Sequence, residues 1–126
     1  MKRFTAALRN LLVLCSALVA LMAVASDTPV ATMAEILEKL NHFPSAEEKT
    51  TLKAIADDEN NNEAVRTIAT AIHDMQHKVG SEDAARLEVI VADENNDDDV
   101  RTLAKVALGV EHKPNADQVQ ALRSLQ

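Results

Sequence analysis

Aromatic residues are almost missing from this chain of 126 residues, which has two phenylalanines and no tryptophan or tyrosine. Proteins that bind single-stranded nucleic acids stack bases on aromatic side chains, and they also need a cationic surface to displace counterions. This chain is acidic instead, with a formal charge of −7 at pH 7. We therefore exclude nucleic acid as a partner and expect the surface to attract cations or a basic protein or peptide.

Glycine and cysteine are also scarce, with two glycines and one cysteine in the chain. Gly80 and Gly109 are too far apart to form a loop that cradles a phosphate. The cysteine, Cys15, lies in a segment that we expect to be removed, so the remaining chain has no thiol nucleophile and no disulfide and depends on its core for stability. We predict a protein that is not an enzyme, with no catalytic residues and no cofactor.

The first 25 residues differ in composition from the rest. A basic start precedes an apolar run at 11–24. The small-x-small step Ala23-Val24-Ala25 then comes directly before Ser26. This order is typical of a secretory signal. The run is too short for an uncleaved anchor, which needs about 20 residues, and the bulky leucine before Cys15 disfavours lipid attachment there. We predict a cleaved signal peptide at 1–25, a periplasmic or secreted domain at 26–126 with a formal charge of −10, and no stable membrane insertion.

What the chain does contain is an internal repeat with a period of 35 residues. Leu52–Lys78 and Leu87–Lys113 are identical at 12 of 27 aligned positions. A period of this size is typical of stacked helical units, each of which needs a neighbour to bury its apolar face. Apolar residues at helical steps predict an all-α fold of six antiparallel helices, arranged as three pairs of one long and one short helix. The pairs form an α-solenoid or, as the alternative, a compact helical bundle.

Polar residues at the predicted helix starts supply caps for the free backbone amides. We expect these caps at Ser45, Asn62, Asp97 and Asn115. The leucine, isoleucine, valine and methionine stripes should form the core together with Phe43. Leu87 and Ile90 should lie at its centre, because both neighbouring pairs would cover them.

The third copy of the repeat carries a family resemblance. Asp93 stands at the turn between its helices, Asp98–Arg101 puts a Val-Arg pair at the start of the second helix, and Ala107–Gly109 ends that helix with Leu-Gly. This pattern resembles HEAT-like helical repeats, and the second copy keeps the turn residue Asp58 and the Val-Arg pair at Arg66. The resemblance implies an α-solenoid that acts as a protein-binding scaffold, with the two aspartates in structural roles at the turns.

Three histidines, His42, His77 and His112, recur one period apart. Equivalent positions in a stacked array are about 10 Å apart, which is too far for one ion to touch all three. We therefore predict structural roles at helix ends, where each ring bonds a free carbonyl. His73 and His77 are four residues apart, and on one helix face they are a weak candidate pair for zinc, copper or nickel.

Two acidic runs, Asp57–Glu63 and Asp93–Asp99, offer the oxygen ligands that calcium prefers. An EF-hand loop has Gly at its sixth position and Glu at its twelfth, and neither run fits. We predict caps and solvated turns, with weak calcium binding as the alternative. Arg66 and Arg101 stand beside these carboxylates, and each can reach acidic residues of its own turn or of the next repeat. We predict that they form a structural ladder of stacked ion pairs.

These features together predict a non-catalytic, exported helical-repeat protein that acts as a protein-interaction or scaffold module. Its acidic surface would bind an unidentified protein or peptide that is basic. The alternative is a divalent-metal-binding protein that uses His73, His77 and the acidic inter-helix loops.

Overall fold

A computed structural model describes residues 27–126, so the predicted signal peptide at 1–25 lies outside the described part. This part contains six helices and no strand. They are α1 (Pro29–Glu38), α2 (Ala46–Asp57), α3 (Glu63–His73), α4 (Ser81–Ala92), α5 (Asp98–Gly109) and α6 (Ala116–Arg123). The all-α fold class is thereby confirmed. No helix within residues 27–126 combines the length and the hydrophobicity that crossing a bilayer requires.

The predicted caps begin three of these helices. Ser45 and Asn115 each form a complete capping box, and the Asn62 side chain accepts a hydrogen bond from the Val65 amide. Asp97 is the N-cap residue of α5 but makes no cap hydrogen bond with its side chain. Thr28 caps α1 in the same way, so a local polar side chain begins four of the six helices in the described residues.

The predicted alternation of long and short helices is wrong. Helices α2 and α4 have 12 residues each, as many as α5 and more than α1 with 10. Their apolar stripes are short because only one narrow face of each helix is buried. Each of these helices continues beyond its apolar stripe through exposed polar residues, so the length of the stripe underestimates the length of the helix.

The helices form a closed ring. Helices α1, α3 and α5 all contact one another and make an inner layer. On the outside, α2 contacts α1 and α3, α4 contacts α3 and α5, and α6 contacts α5 and α1. Because α6 contacts α1, the described chain is the compact helical bundle and not the open α-solenoid. Closure covers the two end faces that an open stack of three pairs would leave exposed.

The core is made of apolar side chains from all six helices. Leu52, Leu87 and Leu122, which are equivalent in the repeat, are all completely buried. Leu87 is thus no more central than its two counterparts, because the closed ring covers all three outer helices alike. The prediction for Phe43 is wrong: it is 58% exposed, since it lies in the loop after α1 at one end of the bundle.

Polar contacts join the last residues of the described chain to the end of α1. Arg123 Nε donates to Glu38 Oε1 at 2.6 Å, and Gln126 Nε2 donates to Glu38 Oε2 at 2.7 Å. The hydrogen bond from Gln126, followed by that from Arg123, holds the pKa of Glu38 below its ordinary value. These contacts link α6 to the end of α1 and so add to the closure of the ring.

Two kinds of loop connect the helices. The histidine loops, 39–45, 74–80 and 110–115, lead from each inner helix to the next outer one. The acidic loops, 58–62 and 93–97, lead from an outer helix to an inner one. Helix α3 begins at an acidic loop and ends at a histidine loop, and its 11 residues span about 16 Å. The two kinds of loop therefore lie at opposite ends of the helices that they connect.

Candidate metal centre

The three histidine loops meet at one point, where their backbones are joined in a ring of hydrogen bonds. The amide of His42 donates to the carbonyl of His112 at 2.5 Å. The amide of His77 donates to His42 at 2.8 Å, and the amide of His112 donates to His77 at 2.6 Å. The ring closes on itself, so each histidine holds the next, and the three repeats are related by an approximate threefold axis.

The backbone of each of these histidines is in the left-handed region. The φ angles are 72° at His42 and 63° at both His77 and His112, and no other non-glycine residue within 27–126 has a positive φ. Amide-to-carbonyl hydrogen bonds across His77 and His112, at 2.6 and 2.7 Å, make each of them the centre of a tight γ-turn of the rare, strained form. Such strain persists only where the surroundings impose it, and it concentrates at functional sites.

The three imidazole rings form a compact and exposed cluster. Ring centroids are 4.9 to 5.3 Å apart, with the planes at 61° to 80° to one another. One ligand nitrogen from each of His42, His77 and His112 lies within 4.8 Å of the other two. Among residues 27–126 this is the one group of three or more histidine, cysteine, aspartate or glutamate side chains with that geometry.

Our expectation of a 10 Å separation between these histidines is therefore wrong. It assumed a linear stack, in which equivalent residues are one repeat width apart. In a closed ring their separation is set by their distance from the axis, and residues at the axis converge. The prediction that each ring bonds a free helix carbonyl is also wrong. The backbone amides of the histidines bond carbonyls instead, and those carbonyls belong to the other two histidines.

The nitrogen positions suit a transition metal. The Nδ1 atoms of His77 and His112 are 3.1 Å apart. Two nitrogens bound tetrahedrally to zinc at 2.0–2.1 Å would be about 3.3–3.4 Å apart, so this pair needs almost no movement. His42 Nδ1 is engaged with Asn41 Oδ1 at 2.7 Å, and this leaves Nε2 with the free lone pair. A hydrogen bond of this kind commonly orients a metal-ligating histidine.

The alternative pair, His73 and His77, does not have the geometry that the sequence suggested. Helix α3 ends at His73, and its ring bonds the neighbouring Asp74 at 2.7 Å. His77 lies beyond the helix, in the strained turn, so the two residues do not share a helix face. His77 is brought to His42 and His112 instead.

The acidic loops are occupied with their own hydrogen bonds. In the second loop, Asp93 Oδ1 accepts two hydrogen bonds from Asn95, one from its backbone N–H at 2.9 Å and one from its side-chain Nδ2 at 3.0 Å. Asn96 Nδ2 donates to the Ile90 carbonyl near the end of α4 at 3.2 Å. The first loop repeats all three bonds with Asp58, Asn60, Asn61 and Ile55. These aspartates thus act as turn residues, and within 27–126 no three carboxylates gather as a calcium site would require.

The two repeated arginines hold helix pairs together. Arg66 Nε donates to the Ala56 carbonyl at 2.9 Å, and Arg101 Nε donates to the Val91 carbonyl at 3.1 Å. Each bond joins the start of an inner helix to the end of the outer helix before it, which would otherwise have unpaired carbonyls. The predicted ladder of ion pairs is corrected in part: Arg101 Nη1 does pair with Asp98 of its own turn at 3.5 Å, but the Nε bond of each arginine goes to a backbone carbonyl of the preceding helix and not to a carboxylate of another repeat.

The sequence contained a usable signal for this site that our reasoning misread. His42, His77 and His112 are in register with the 35-residue period, and there are three copies of the unit. Three units can close into a ring, and any axial residue then appears three times around one point. Asn41, which our reasoning did not single out, has no such signal because its counterparts are Gln76 and Glu111.

The chain matches no protein-family model, no curated protein and no solved structure. The resemblance of its third copy to HEAT-like repeats therefore stays a prediction.

Proposed function

We propose that this protein binds one divalent transition-metal ion through His42, His77 and His112. The observation that carries the proposal is the convergence of three ligand nitrogens, one from each repeat, within 4.8 Å of one another. The alternative function from the sequence is thus kept, with a different set of ligands.

The chemistry of the donors favours particular ions. Three imidazoles suit zinc, copper and nickel, whereas calcium and magnesium prefer oxygen ligands. The rings are exposed, which gives an ion direct access from solvent. The acidic chain, with a formal charge of −7, also raises the local concentration of cations.

The loops hold the ligands in place before an ion arrives. The ring of amide-to-carbonyl bonds restrains the backbone of all three histidines, and the His77 and His112 nitrogens already lie 3.1 Å apart. The bond from His42 Nδ1 to Asn41 Oδ1 restrains the third ring and leaves its Nε2 available as a ligand. Little conformational entropy is then lost on binding, which favours affinity.

Calorimetric titration of the purified protein with zinc, copper, nickel and calcium tests the proposal. We expect one zinc, copper or nickel ion per chain and no calcium. The decisive variants are His77→Asn and His73→Asn, because they change two nearby histidines of which only one is in the cluster. Asparagine tolerates positive φ, so His77→Asn removes the ring without adding strain.

The expected result is a loss of zinc affinity of at least about 100-fold in His77→Asn and no change in His73→Asn. His42→Asn and His112→Asn should behave like His77→Asn. Equal affinity in all the variants, or no binding by a correctly folded wild-type protein, would overturn the proposal.

A basic protein or peptide as partner is the second function that we propose, and its support is the acidic surface. Exposed carboxylates at the start of α5, such as Asp98 at 96% side-chain exposure, lie at the far end of that helix from the histidines. A partner held there should not compete with the metal. Binding of an oligolysine peptide, with oligoglutamate as the control, should be unchanged by zinc; absence of oligolysine binding would remove this second proposal.

A further inference from the structure

We infer that the metal ion at the histidine cluster keeps one coordination position open to solvent and fills it with a small anion, of which carboxylates are the biological class. This inference rests on the proposed metal site and concerns what that site binds once it is loaded. The step is a ligand exchange in which the anion replaces a bound water and the metal keeps its oxidation state.

The geometry of the cluster leaves one side of a bound ion uncovered. His42, His77 and His112 are grouped around the axis at one end of the bundle, and all three are exposed. They can approach an ion only from the protein side. Zinc and copper accept at least four ligands, and three protein ligands with one open position is the arrangement that allows an exogenous ligand to bind.

The charge of the loaded site favours an anion at the open position. Three neutral imidazoles leave the full double positive charge on the ion, and a bound cation is the largest local charge in such a site. An anion reduces that charge, whereas a neutral ligand does not. The open position should therefore prefer an anion over a neutral molecule of the same size.

The residues next to the histidines in sequence also favour an anion. Lys78 and Lys113 each follow a cluster histidine directly, so the Cα of each lysine is about 3.8 Å from the Cα of that histidine. Both lysines are exposed. Glu111, which precedes His112, is the one acidic residue among the six direct neighbours, so these neighbours carry a net charge of +1 in a chain of −7. These six neighbours, which we call the rim of the site, are thus net cationic in an otherwise acidic chain.

The remaining neighbour of interest is Phe43, which follows His42 and is 58% exposed. Its counterparts in the other repeats are the two lysines. Across the three repeats, the position after the cluster histidine thus supplies one apolar ring and two ammonium groups, a combination that suits a carboxylate attached to an apolar body. Benzoate should consequently bind more tightly than acetate.

The experiment uses the protein loaded with one equivalent of copper(II) and titrated with azide, whose binding to copper produces a charge-transfer absorption. Acetate and benzoate are then used to displace the azide. We expect saturable azide binding, competition by both carboxylates, and tighter binding of benzoate that is lost in Phe43→Ala.

The matched variants separate the rim from the rest of the surface. Lys78→Gln combined with Lys113→Gln should weaken azide binding by about three- to tenfold, while copper should bind at least as tightly as in the wild type because two positive charges near a cation site are removed. Lys53→Gln changes an exposed lysine that lies nearer the acidic-loop end of α2 and pairs with Asp57, and it should change neither azide binding nor copper binding. Raising the salt concentration should reduce the difference between the double variant and the wild type.

The outcomes distinguish this inference from the proposed function. Failure to bind copper would overturn both. Tight copper binding with no azide band would overturn only the inference, and appearance of the band in Glu111→Gln alone would show that the Glu111 carboxylate occupies the fourth position. Azide binding that is insensitive to the two lysines would overturn the role of the rim.

Discussion

The histidine loops and the acidic loops recur with the same period, and both contain residue types that bind metals, yet the structure treats them differently. At the histidine loops, residues from three repeats converge around one axis and are bonded to one another. At the acidic loops, each turn satisfies its own aspartate and the adjacent helix ends. One end of the helices forms a shared site, and the other forms separate local structures.

This difference shows why repetition alone does not identify a binding site. The recurrence of Asp93-Glu94-Asn95-Asn96 in both acidic loops is explained by hydrogen bonds inside one helix pair. The histidine at positive φ has no such local explanation, because asparagine or glycine would adopt that backbone at less cost. Its strain is maintained by contacts with two other repeats, which is the physical reason for assigning a function to that end.

The largest effect that we expect separates the two ends by their response to metals. Zinc at about 100 times its dissociation constant should stabilise the protein by about 2.7 kcal/mol, because all of its ligands come together only in the folded state. Differential scanning calorimetry should show a rise in Tm of about 10–20 °C for a domain of this size. Calcium at the same concentration should have no effect, and a calcium-dependent rise would mean that the acidic loops hold ions after all.

The next effect concerns the acidic end alone. Arg101→Met should cost about 1–3 kcal/mol in urea unfolding, since it removes a charged hydrogen bond from the Val91 carbonyl. Arg86→Met is the matched control, because that arginine is 54% exposed and its ion pairs within residues 27–126 are with carboxylates on its own helix. This change should cost less than about 0.5 kcal/mol. Neither change should alter zinc affinity. Loss of metal binding in a folded Arg101→Met protein would show that the two ends are coupled.

A smaller effect tests the orientation of one ligand. Asn41→Ala removes the hydrogen bond to His42 Nδ1 and frees the ring to rotate, so zinc affinity should fall by about tenfold. Gln76→Ala, at the equivalent position of the second repeat, has no such bond among the described contacts and should change the affinity less. Calorimetry on the two variants compares them directly, and equal losses would contradict the assigned role of Asn41.

The smallest effect concerns the closure on which the convergence depends. Hydrogen bonds from Gln126 and Arg123 lower the pKa of Glu38 from an ordinary value of 4.5. A carboxylate with a lowered pKa stabilises the folded state above its unfolded pKa, and this contribution disappears as the pH falls through the folded value. Glu38→Gln should therefore lower Tm slightly at pH 7, and the difference from wild type should shrink below about pH 4.5. A difference that grows on acidification would show that Glu38 is not stabilising as a carboxylate.

Local features of the structure could be predicted from the sequence because they depend on short-range contacts. The caps at Ser45, Asn62 and Asn115 follow from side chains that reach amides three residues away. The burial of Leu87 follows from helical spacing of apolar residues. The exposure of Phe43 could not be predicted in this way, because hydrophobicity does not show whether a loop residue faces the core or the end of a bundle.

By itself, the sequence determined the number of helices, their starts and the faces that they bury, since each of these is decided within a few residues or by a period along one helix. The tertiary structure alone decided that α6 packs against α1 and that the three repeats close around an axis. Closure depends on the angle between successive helix pairs, which no short segment encodes. It is this closure that brings together His42, His77 and His112, residues separated by 35 positions along the chain, and leaves the acidic loops apart.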